Sequence, residues 1–361
     1  MSMTMSSASI STLPMAAVVA DQQAINVNPA DIIFNTALGY IASACLNVAV
    51  KLRIPDLIAE GFTDLQVLAL KAGAKEEPLF RVLRVLEMNG IVARNADRSY
   101  ALTAAGHLLR RGAAGSLASA TAWISDPLHL TLYSELRTSV ETGETTFDAM
   151  YGIPFFDWTT EPENAEEAAV FNDAMTSISE MCIPAFLEAY PFGSFERIVD
   201  VGGGHGAILR SVLKQHTGTR GTIAEMPSLI PAAKAAIAQD DLANRCEAVS
   251  CNFFESVPAG GDLYFMKHII HDWADDRAIK LLRNIRAVIP ENGKLVLAEA
   301  VLDDTPAPHF GKLLDIEMIA FVGGKERTAE EFRQLLASAG FALQRIVSTR
   351  SPLSLLEAVP R

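Results

Sequence analysis

The chain has 361 residues, of which half are hydrophobic and 20% are charged, a composition typical of globular proteins. Its formal net charge is −13 at pH 7, which disfavours nucleic-acid binding because DNA affinity depends on cations that neutralise phosphates. No apolar run reaches the roughly 18 residues of a membrane helix, and the length suggests about two domains.

The first 27 residues are rich in Ser, Met and Ala and contain no Lys or Arg, so the basic region of a secretory signal is missing. We predict a flexible tail over residues 1–27 and a cytoplasmic protein. The apolar stretch 37–57 is interrupted by Asn47, Lys51 and Arg53, and we interpret it as a buried helix. No CxxC pair is present, which indicates reduced thiols and no cysteine–histidine metal site. The four cysteines are Cys45, Cys182, Cys246 and Cys251.

Residues 28–115 have the pattern of a winged-helix module, in which helices are followed by a hairpin. Winged helices occur in DNA-binding regulators, but the second short helix carries only two arginines against three acids. We therefore favour dimerisation and keep a DNA-binding regulator as the alternative. The elements are a helical region over 29–60, a helix capped by Thr63 or Asp64, a helix from about Glu77 to Asn89, and strands at Ile91–Ala93 and Tyr100–Leu102.

Residues 116–190 are mainly helical and dense in aromatic residues and methionines, which predicts a helical linker and substrate-pocket region. These side chains either form ordinary core or line a pocket for a flat apolar ligand. The candidates for the pocket are Phe156, Trp158, Phe171, Met175 and Met181, with Asp272, Met318 and Phe321 from later in the chain.

From residue 191 to 361, apolar strand patterns alternate with helical patterns, and the chain closes with two strands, "FALQRIVST" and "LSLLEAVP". This order predicts an α/β fold with an open, mainly parallel, seven-stranded sheet of the Rossmann-like kind and an antiparallel end. Ligands bind such sheets at the carboxyl ends of the strands.

A glycine loop, "DVGGGHG", follows the first of these strands and opens a helix, so the backbone can approach a ligand closely. The spacing Gly202, Gly204, Ala207 also fits the dinucleotide fingerprint, which leaves an NAD enzyme as a rival. Asp200 precedes the loop, where a carboxylate would repel a pyrophosphate. Glu225 ends the second strand, where it can accept hydrogen bonds from ribose hydroxyls. Both acids favour S-adenosylmethionine.

The chain from about Phe195 to Phe341 resembles the plant-type small-molecule O-methyltransferases, which include caffeate, flavonoid and bacterial polyketide or phenazine members. The matching pieces are "IVDVGGGHG", "AEMP", "CNFFESVPAGGDLYFMKHIIHDWADD", "GKLVLAEAV" and "GGKERTAEEF". The N-terminal half resembles the dimerisation domain of that family. The resemblance implies S-adenosyl-L-methionine as cofactor, S-adenosyl-L-homocysteine as product, an aromatic acceptor and a homodimer through the N-terminal domain.

The resemblance also implies a role for each matching residue. Two departures from the family pattern stand out, because Cys251-Asn252 replaces the usual Gly-Asp and Glu225 replaces the commoner Asp. The implied roles are Gly202 and Gly204 for the methionine part of the cofactor, Glu225 for the ribose, Asn252 and Phe253 for the adenine, Lys267 for a cofactor contact, His271 as general base, and Glu299 and Glu326 on either side of it.

The chemistry of methyl transfer explains these residue types. A neutral phenol, with a pKa near ~10, is a poor nucleophile, and a histidine with a pKa near ~6.5 can take its proton. The other ring nitrogen then needs an acceptor that fixes the tautomer. Since the base replaces the acidifying effect of a metal, no metal is predicted. A family relative that catalyses hydroxylation or decarboxylation is the alternative.

Two histidines compete for the role of base in "KHIIHDWADD". His271 follows the apolar run, and we predict that it is the base. His268 is interpreted as a structural residue, with a substrate contact as the alternative. Asp272 is predicted either to cap the helix that begins near Asp275 or to support the base.

Overall fold

A computed structural model describes residues 28–361, and the predicted tail over residues 1–27 lies outside the described residues. The chain divides into two compact units. The helical unit contains the described chain up to Arg137 and the segment Asp157–Met181, and the sheet unit contains Thr138–Phe156 and Cys182–Arg361.

The first part of the chain is helical apart from one hairpin. Its elements are α1 (Pro29–Ala37), α2 (Gly39–Lys51), α3 (Ile54–Ala59), α4 (Leu65–Lys71), α5 (Glu76–Met88), β1 (Val92–Arg94), β2 (Tyr100–Leu102), α6 (Ala104–His107), α7 (Ala118–Ile124), α8 (Pro127–Ser134), α9 (Leu136–Thr142), α10 (Thr146–Tyr151), α11 (Phe155–Trp158) and α12 (Ala165–Ala189).

The predicted winged-helix succession is present as α4, α5 and the antiparallel pair β1–β2. Asp64 caps α4 by accepting hydrogen bonds from the N–H groups of Gln66 and Val67, as its position before the helix predicts. Apolar side chains from the helices and the hairpin form one core in this unit, which includes Ile54, Leu68, Leu83, Leu86 and Tyr100.

The interpretation of residues 37–57 as one buried helix is wrong. The stretch contains α2 and α3, and only the end of α2 is buried, at Ala49 and Val50. Before it, Ile33 is 68% exposed and Phe34 is 63% exposed. By length and composition alone, Pro29–Lys51 is long and apolar enough for one membrane span, although the helix breaks at Leu38. One such segment is weak support for a membrane protein.

The rest of the chain alternates strands and helices. Its elements are β3 (Arg197–Val201), α13 (Ala207–Gln215), β4 (Arg220–Glu225), α14 (Ile230–Gln239), β5 (Cys246–Ser250), β6 (Leu263–Lys267), α15 (Asp275–Arg286), β7 (Lys294–Glu299), β8 (Val301–Leu302), α16 (Phe310–Phe321), β9 (Arg327–Thr328), α17 (Ala329–Ser338), β10 (Phe341–Ser348) and β11 (Ser354–Pro360).

Seven strands form one sheet, as predicted. Their order in the sheet is β10-β11-β7-β6-β3-β4-β5. The strands from β3 to β7 pair in parallel, whereas β11 pairs antiparallel with β7 and with β10. Apolar side chains from the strands and from α15 and α17 form a continuous core. Because parallel strands end at the same edge, the sheet brings Val201, Glu225, Lys267 and Glu299 to one side.

Candidate active site at the carboxyl edge of the sheet

The glycine loop between β3 and α13 has a backbone that side chains would not tolerate. Gly202 has φ 72° and Gly206 has φ 73°, both in the left-handed region. A Cβ atom on Gly202 would lie 2.4 Å from Cδ1 of Ile269, and one on Gly206 would lie 2.1 Å from Cδ1 of Ile223. The loop therefore packs directly on the segment that follows β6, and its backbone borders the carboxyl edge.

Two buried carboxylates support this loop. Glu225 accepts hydrogen bonds from Gly204 N–H at 2.8 Å and from Met226 N–H at 2.7 Å. Burial raises the pKa of Asp200 to about 7, and the Glu225 charge adds to this rise. Burial also raises the pKa of Glu225, although its two backbone hydrogen bonds lower that pKa in part. Buried acids beside the loop suit a cationic ligand with ribose hydroxyls and disfavour a pyrophosphate, so these residues fit S-adenosylmethionine.

His271 lies on a single 3-10 turn after β6, and its ring is buried. Its Nδ1 atom lies 2.5 Å from Oε1 of Glu326. Glu299 acts differently, because its Oε1 accepts hydrogen bonds from Ile269 N–H at 3.2 Å and Ile270 N–H at 2.9 Å. The second oxygen of Glu299 lies 3.9 Å from Nδ1 of His271. Glu326 thus holds the ring, and Glu299 holds the backbone of the turn.

Asp272 does not cap α15, which corrects one of the two predictions for it. The N-cap position of that helix is Ala274, which makes no side-chain capping bond. Oδ1 of Asp272 lies instead 3.3 Å from Nε2 of His271. Burial raises the pKa of Asp272 to about 7, although the His271 ring opposes this rise.

Sequence reasoning assigned no role to two residues that hold the turn in place. The Arg327 side chain is 0% exposed, and its guanidinium donates hydrogen bonds to the carbonyl oxygens of Ile270 and Trp273. A Cβ atom on Gly324 would lie 1.8 Å from the carbonyl oxygen of His271, so only glycine fits there. Both residues belong to the motif "GGKERT", but their separation from His271 in sequence hid the contact.

An aromatic cluster borders the turn. The Trp273 ring packs edge-to-face on Phe254, with centroids 4.7 Å apart, and lies 5.5 Å from the Phe156 ring. The Arg277 guanidinium lies over the Trp273 ring at 4.4 Å. Phe321 and Met318 are buried in the same unit, where Phe321 packs against Phe155 and Phe147.

The other four predicted pocket residues, Trp158, Phe171, Met175 and Met181, belong to the helical unit. There the Phe171 ring packs edge-to-face on Trp123 at 5.2 Å. Their contact with an acceptor stays a prediction.

The two predicted adenine contacts lie in an exposed turn after β5. The Asn252 amide donates to Oε1 of Glu255 at 2.9 Å, and its carbonyl oxygen accepts from Phe254 N–H at 3.1 Å. Phe253 packs edge-to-face on Phe254, with centroids 4.9 Å apart. Asn252 therefore stabilises the turn, and it would have to exchange a bond to contact adenine.

Several buried polar atoms at this edge have no hydrogen-bond partner within residues 28–361. They are Nε2 of His268, Nε1 of Trp273, and the second carboxylate oxygens of Glu299 and Glu326. His271, Glu299 and Glu326 also each offer a metal-ligand atom, and these atoms lie within 4.8 Å of one another. Buried polar groups are normally paired, so this concentration indicates a ligand site.

Family models match both halves of the chain. A model described as an O-methyltransferase domain matches residues 133–342, and one described as an O-methyltransferase dimerisation domain matches residues 34–112. The chain belongs to the O-methyltransferase family. Family membership confirms the predicted resemblance and enzyme class, and the chain is an S-adenosylmethionine-dependent O-methyltransferase.

Curated relatives match the methyltransferase over most of its length. It is 35% identical to the phenazine O-methyltransferase PhzM of Lysobacter antibioticus, over 91% of this chain and 96% of that protein. It is 34% identical to a mitomycin biosynthesis 6-O-methyltransferase of Streptomyces lavendulae, over 83% of this chain and 85% of that protein.

Solved structures confirm the fold of the methyltransferase. That of LaPhzM matches with a TM-score of 0.87 and 35% identity, covering 93% of this chain and 100% of that chain. The calicheamicin methyltransferase CalO1, solved with S-adenosylhomocysteine, matches with a TM-score of 0.82 and 28% identity, covering 94% and 100%. The cofactor is S-adenosylmethionine, as predicted, which decides against NAD at the glycine loop.

Proposed function

We propose that the methyltransferase methylates a hydroxyl group of an aromatic or polyketide-like small molecule, with His271 as the general base. The observation that carries this proposal is the 2.5 Å contact between Nδ1 of His271 and Oε1 of Glu326. With Glu326 in its carboxylate form, Nδ1 of His271 donates the proton and Nε2 keeps its lone pair. Burial raises the pKa of Glu326 to about 8 and works against that form, so the reaction needs a pH at which Glu326 is ionised.

Each residue of the site has a separate role in the reaction. Nε2 of His271 takes the hydroxyl proton as the oxygen attacks, and Glu326 stabilises the charge that forms on the ring. Glu299 keeps the turn in position through two backbone N–H groups. When bound, S-adenosylmethionine supplies an electrophilic methyl group on a sulfonium and leaves as a neutral thioether.

The cofactor would be held by residues along the carboxyl edge. Glu225 would bind the ribose, and the loop backbone at Gly202 and Gly204 would bind the methionine part. Asp200 is buried behind the loop, where a carboxylate favours the cationic sulfonium. The other residues in this role are Lys267, which closes β6, and Asn252 and Phe253 for the adenine.

An aromatic acceptor is supported by the apolar side chains near the turn and by the relatives. The printed names of two relatives refer to phenazine and mitomycin, and one neighbour was solved with 1,4-dihydroxy-2-naphthoic acid. The acceptor contacts that we propose are Phe156, Trp158, Phe171, Met175, Met181, Asp272, Met318 and Phe321.

We also propose that the enzyme is a cytoplasmic homodimer that pairs through the N-terminal helices. The matched dimerisation domain begins at residue 34, within α1. Large apolar side chains on α1, on α2 and at the break between them are exposed in the single chain. They are Ile32, Ile33, Phe34, Leu38, Tyr40 and Ile41. A second copy would cover this apolar surface.

The variant His271→Ala tests the role of the base. We expect a fall in kcat of about 10²–10⁴-fold, the usual contribution of a general base, measured as S-adenosylhomocysteine release with a panel of phenols. Titration should show an unchanged affinity for S-adenosylmethionine. The matched control is His107→Ala, on the exposed surface of α6. If His271→Ala keeps the full rate, the acceptor ionises without this base and the proposal is wrong.

A further inference from the structure

His268 is placed unusually for a residue with only a structural role. It follows β6 with φ 53°, in the left-handed region that non-glycine residues rarely adopt. Its ring stacks on that of His271, with centroids 4.6 Å apart and an angle of 18° between the planes. Glycine would adopt this backbone with less strain, so the imidazole itself calls for an explanation.

The contact between the His268 ring and Lys267 favours one tautomer when Lys267 is charged; burial lowers the pKa of Lys267, and the nearby acids oppose this shift. Nδ1 lies 3.4 Å from Nζ of Lys267, and an ammonium group donates hydrogen bonds but accepts none. Nδ1 therefore presents its lone pair, which leaves the ring proton on Nε2. Burial lowers the pKa of His268 well below its usual value, and the charge of Lys267 lowers it further. The ring is thus neutral, with Nε2–H as a donor.

That donor has no partner. Nε2 of His268 is buried and makes no hydrogen bond to any residue in the described chain. A buried N–H without an acceptor is costly, which indicates that a ligand supplies the acceptor. The His268 ring stacks on the His271 ring with centroids 4.6 Å apart, so this donor lies next to the proposed base.

We propose that His268 recognises the substrate that accepts the methyl group. Its Nε2–H donates a hydrogen bond to a second atom of that substrate, beside the hydroxyl that is methylated. This assignment rests on the proposed function. The two stacked histidines then have opposite polarity, because Nε2 of His271 accepts a proton and Nε2 of His268 donates a hydrogen bond.

The acidic groups around the stacked rings of His268 and His271 limit the chemical nature of that second atom. Asp272, Glu299 and Glu326 are already buried beside His271, and burial raises the pKa of each, so a further carboxylate on the methyl-accepting substrate would be unfavourable there. A neutral acceptor atom avoids this cost. The preferred substrates are therefore hydroxylated aromatics in which a ring nitrogen or a carbonyl oxygen lies next to the reacting hydroxyl.

Two probes of nearly identical shape test this selectivity, 8-hydroxyquinoline and 1-naphthol, which differ by a ring nitrogen in place of a C–H beside the hydroxyl. Their dissociation constants are measured by calorimetry on the full chain saturated with S-adenosylhomocysteine, with EDTA present to prevent chelation by the quinoline. We expect wild-type protein to bind 8-hydroxyquinoline at least about tenfold more tightly, because a site built around a donor rejects an analogue that lacks the acceptor.

The variant His268→Asn tolerates the left-handed backbone but is too short to place a donor at the Nε2 position. It should bind both probes equally, with the affinity for 1-naphthol within about twofold of wild type. Equal weakening of both probes would give His268 a packing role and overturn the proposal. A wild-type protein that does not distinguish the probes would also overturn it.

Nitrogen-15 NMR of histidine-labelled wild-type protein gives the same test without a substitution. A protonated Nε2 on neutral His268 should shift with 8-hydroxyquinoline and not with 1-naphthol, and an Nδ1-protonated ring would contradict the tautomer. These binding measurements need no turnover. Failure to methylate any phenol would count against the proposed function alone.

Discussion

Nδ1 of His271 lies 2.5 Å from Oε1 of Glu326, although 55 positions separate the two residues in the chain. In the proposed mechanism this contact selects one tautomer of the ring and leaves Nε2 as the basic nitrogen. Glu299, the other glutamate beside this ring, accepts hydrogen bonds from two backbone N–H groups with one of its oxygens. The two glutamates are therefore not equivalent, and substitution should separate their functions.

Glu326→Gln should lower kcat by about 10–100-fold with little change in KM, because a neutral amide stabilises the charged ring poorly. Glu299→Gln keeps an oxygen that can accept from the turn, so its kcat should fall only a few-fold. The measurement is steady-state kinetics, with circular dichroism to check the fold. Equal losses in the two variants would contradict the division of roles described above.

Asp200→Asn should stabilise the cofactor-free enzyme more at pH 8 than at pH 5. The pKa of Asp200 is raised by burial to about 7, whereas an aspartate in the unfolded chain titrates near ~3.9. Between these values the unfolded chain releases the proton and the folded chain keeps it, so stability falls as pH rises.

The size of this effect is at most about 4 kcal/mol, at about 1.36 kcal/mol per pKa unit. Thermal melts of wild type and variant across the pH range measure it, and the exposed Asp304→Asn serves as the control. A melting-temperature difference that stays constant with pH would show that Asp200 ionises normally.

Chelation should leave the activity unchanged. His271, Glu299 and Glu326 could together hold a metal, but the proposed proton transfer uses only His271 and its contact to Glu326. Dialysis against EDTA should leave kcat within experimental error of the untreated enzyme. Loss of activity that Zn²⁺ or Mg²⁺ restores would assign the three residues to a metal instead.

Ile33→Lys with Phe34→Lys should weaken dimerisation, because both side chains are exposed in one chain and lie on the apolar surface of α1. Sedimentation of wild type at micromolar concentration should show a dimer, and the double variant should shift toward monomer. Met88→Lys, at a position that is also exposed at the end of α5, is the control. An unchanged dimer in the variant would place the interface elsewhere. A wild-type protein that is monomeric would contradict the proposed homodimer.

The sheet, and the position of the proposed site residues at its carboxyl edge, were predictable because local patterns determine them. A glycine loop after an apolar strand, an acid at the end of the next strand and a histidine after the fourth must meet at one edge of a parallel sheet. The role of Asp64 as a helix cap could be predicted from its position immediately before a helical pattern of apolar residues. These features need only neighbouring residues and the geometry of strands.

Tertiary contacts were not predictable in the same way. Nothing local distinguishes Glu326, which holds the ring, from Glu299, which holds the backbone. The burial of Arg327 depends on carbonyl groups about 55 residues earlier in the chain. The exposure of the first residues of α2, at Tyr40 and Ile41, was missed because an apolar helix pattern looks the same whether a core or another chain covers it.

Gly324 has a practical consequence for engineering. A single added carbon there would collide with the carbonyl oxygen of the residue we propose as base, while Arg327 anchors the same turn from the other side. A mutant library designed to widen the acceptor range should therefore leave this short segment unrandomised. Diversity is better introduced at Phe254 and Phe156 of the aromatic cluster, which contact Trp273 but do not belong to the turn itself.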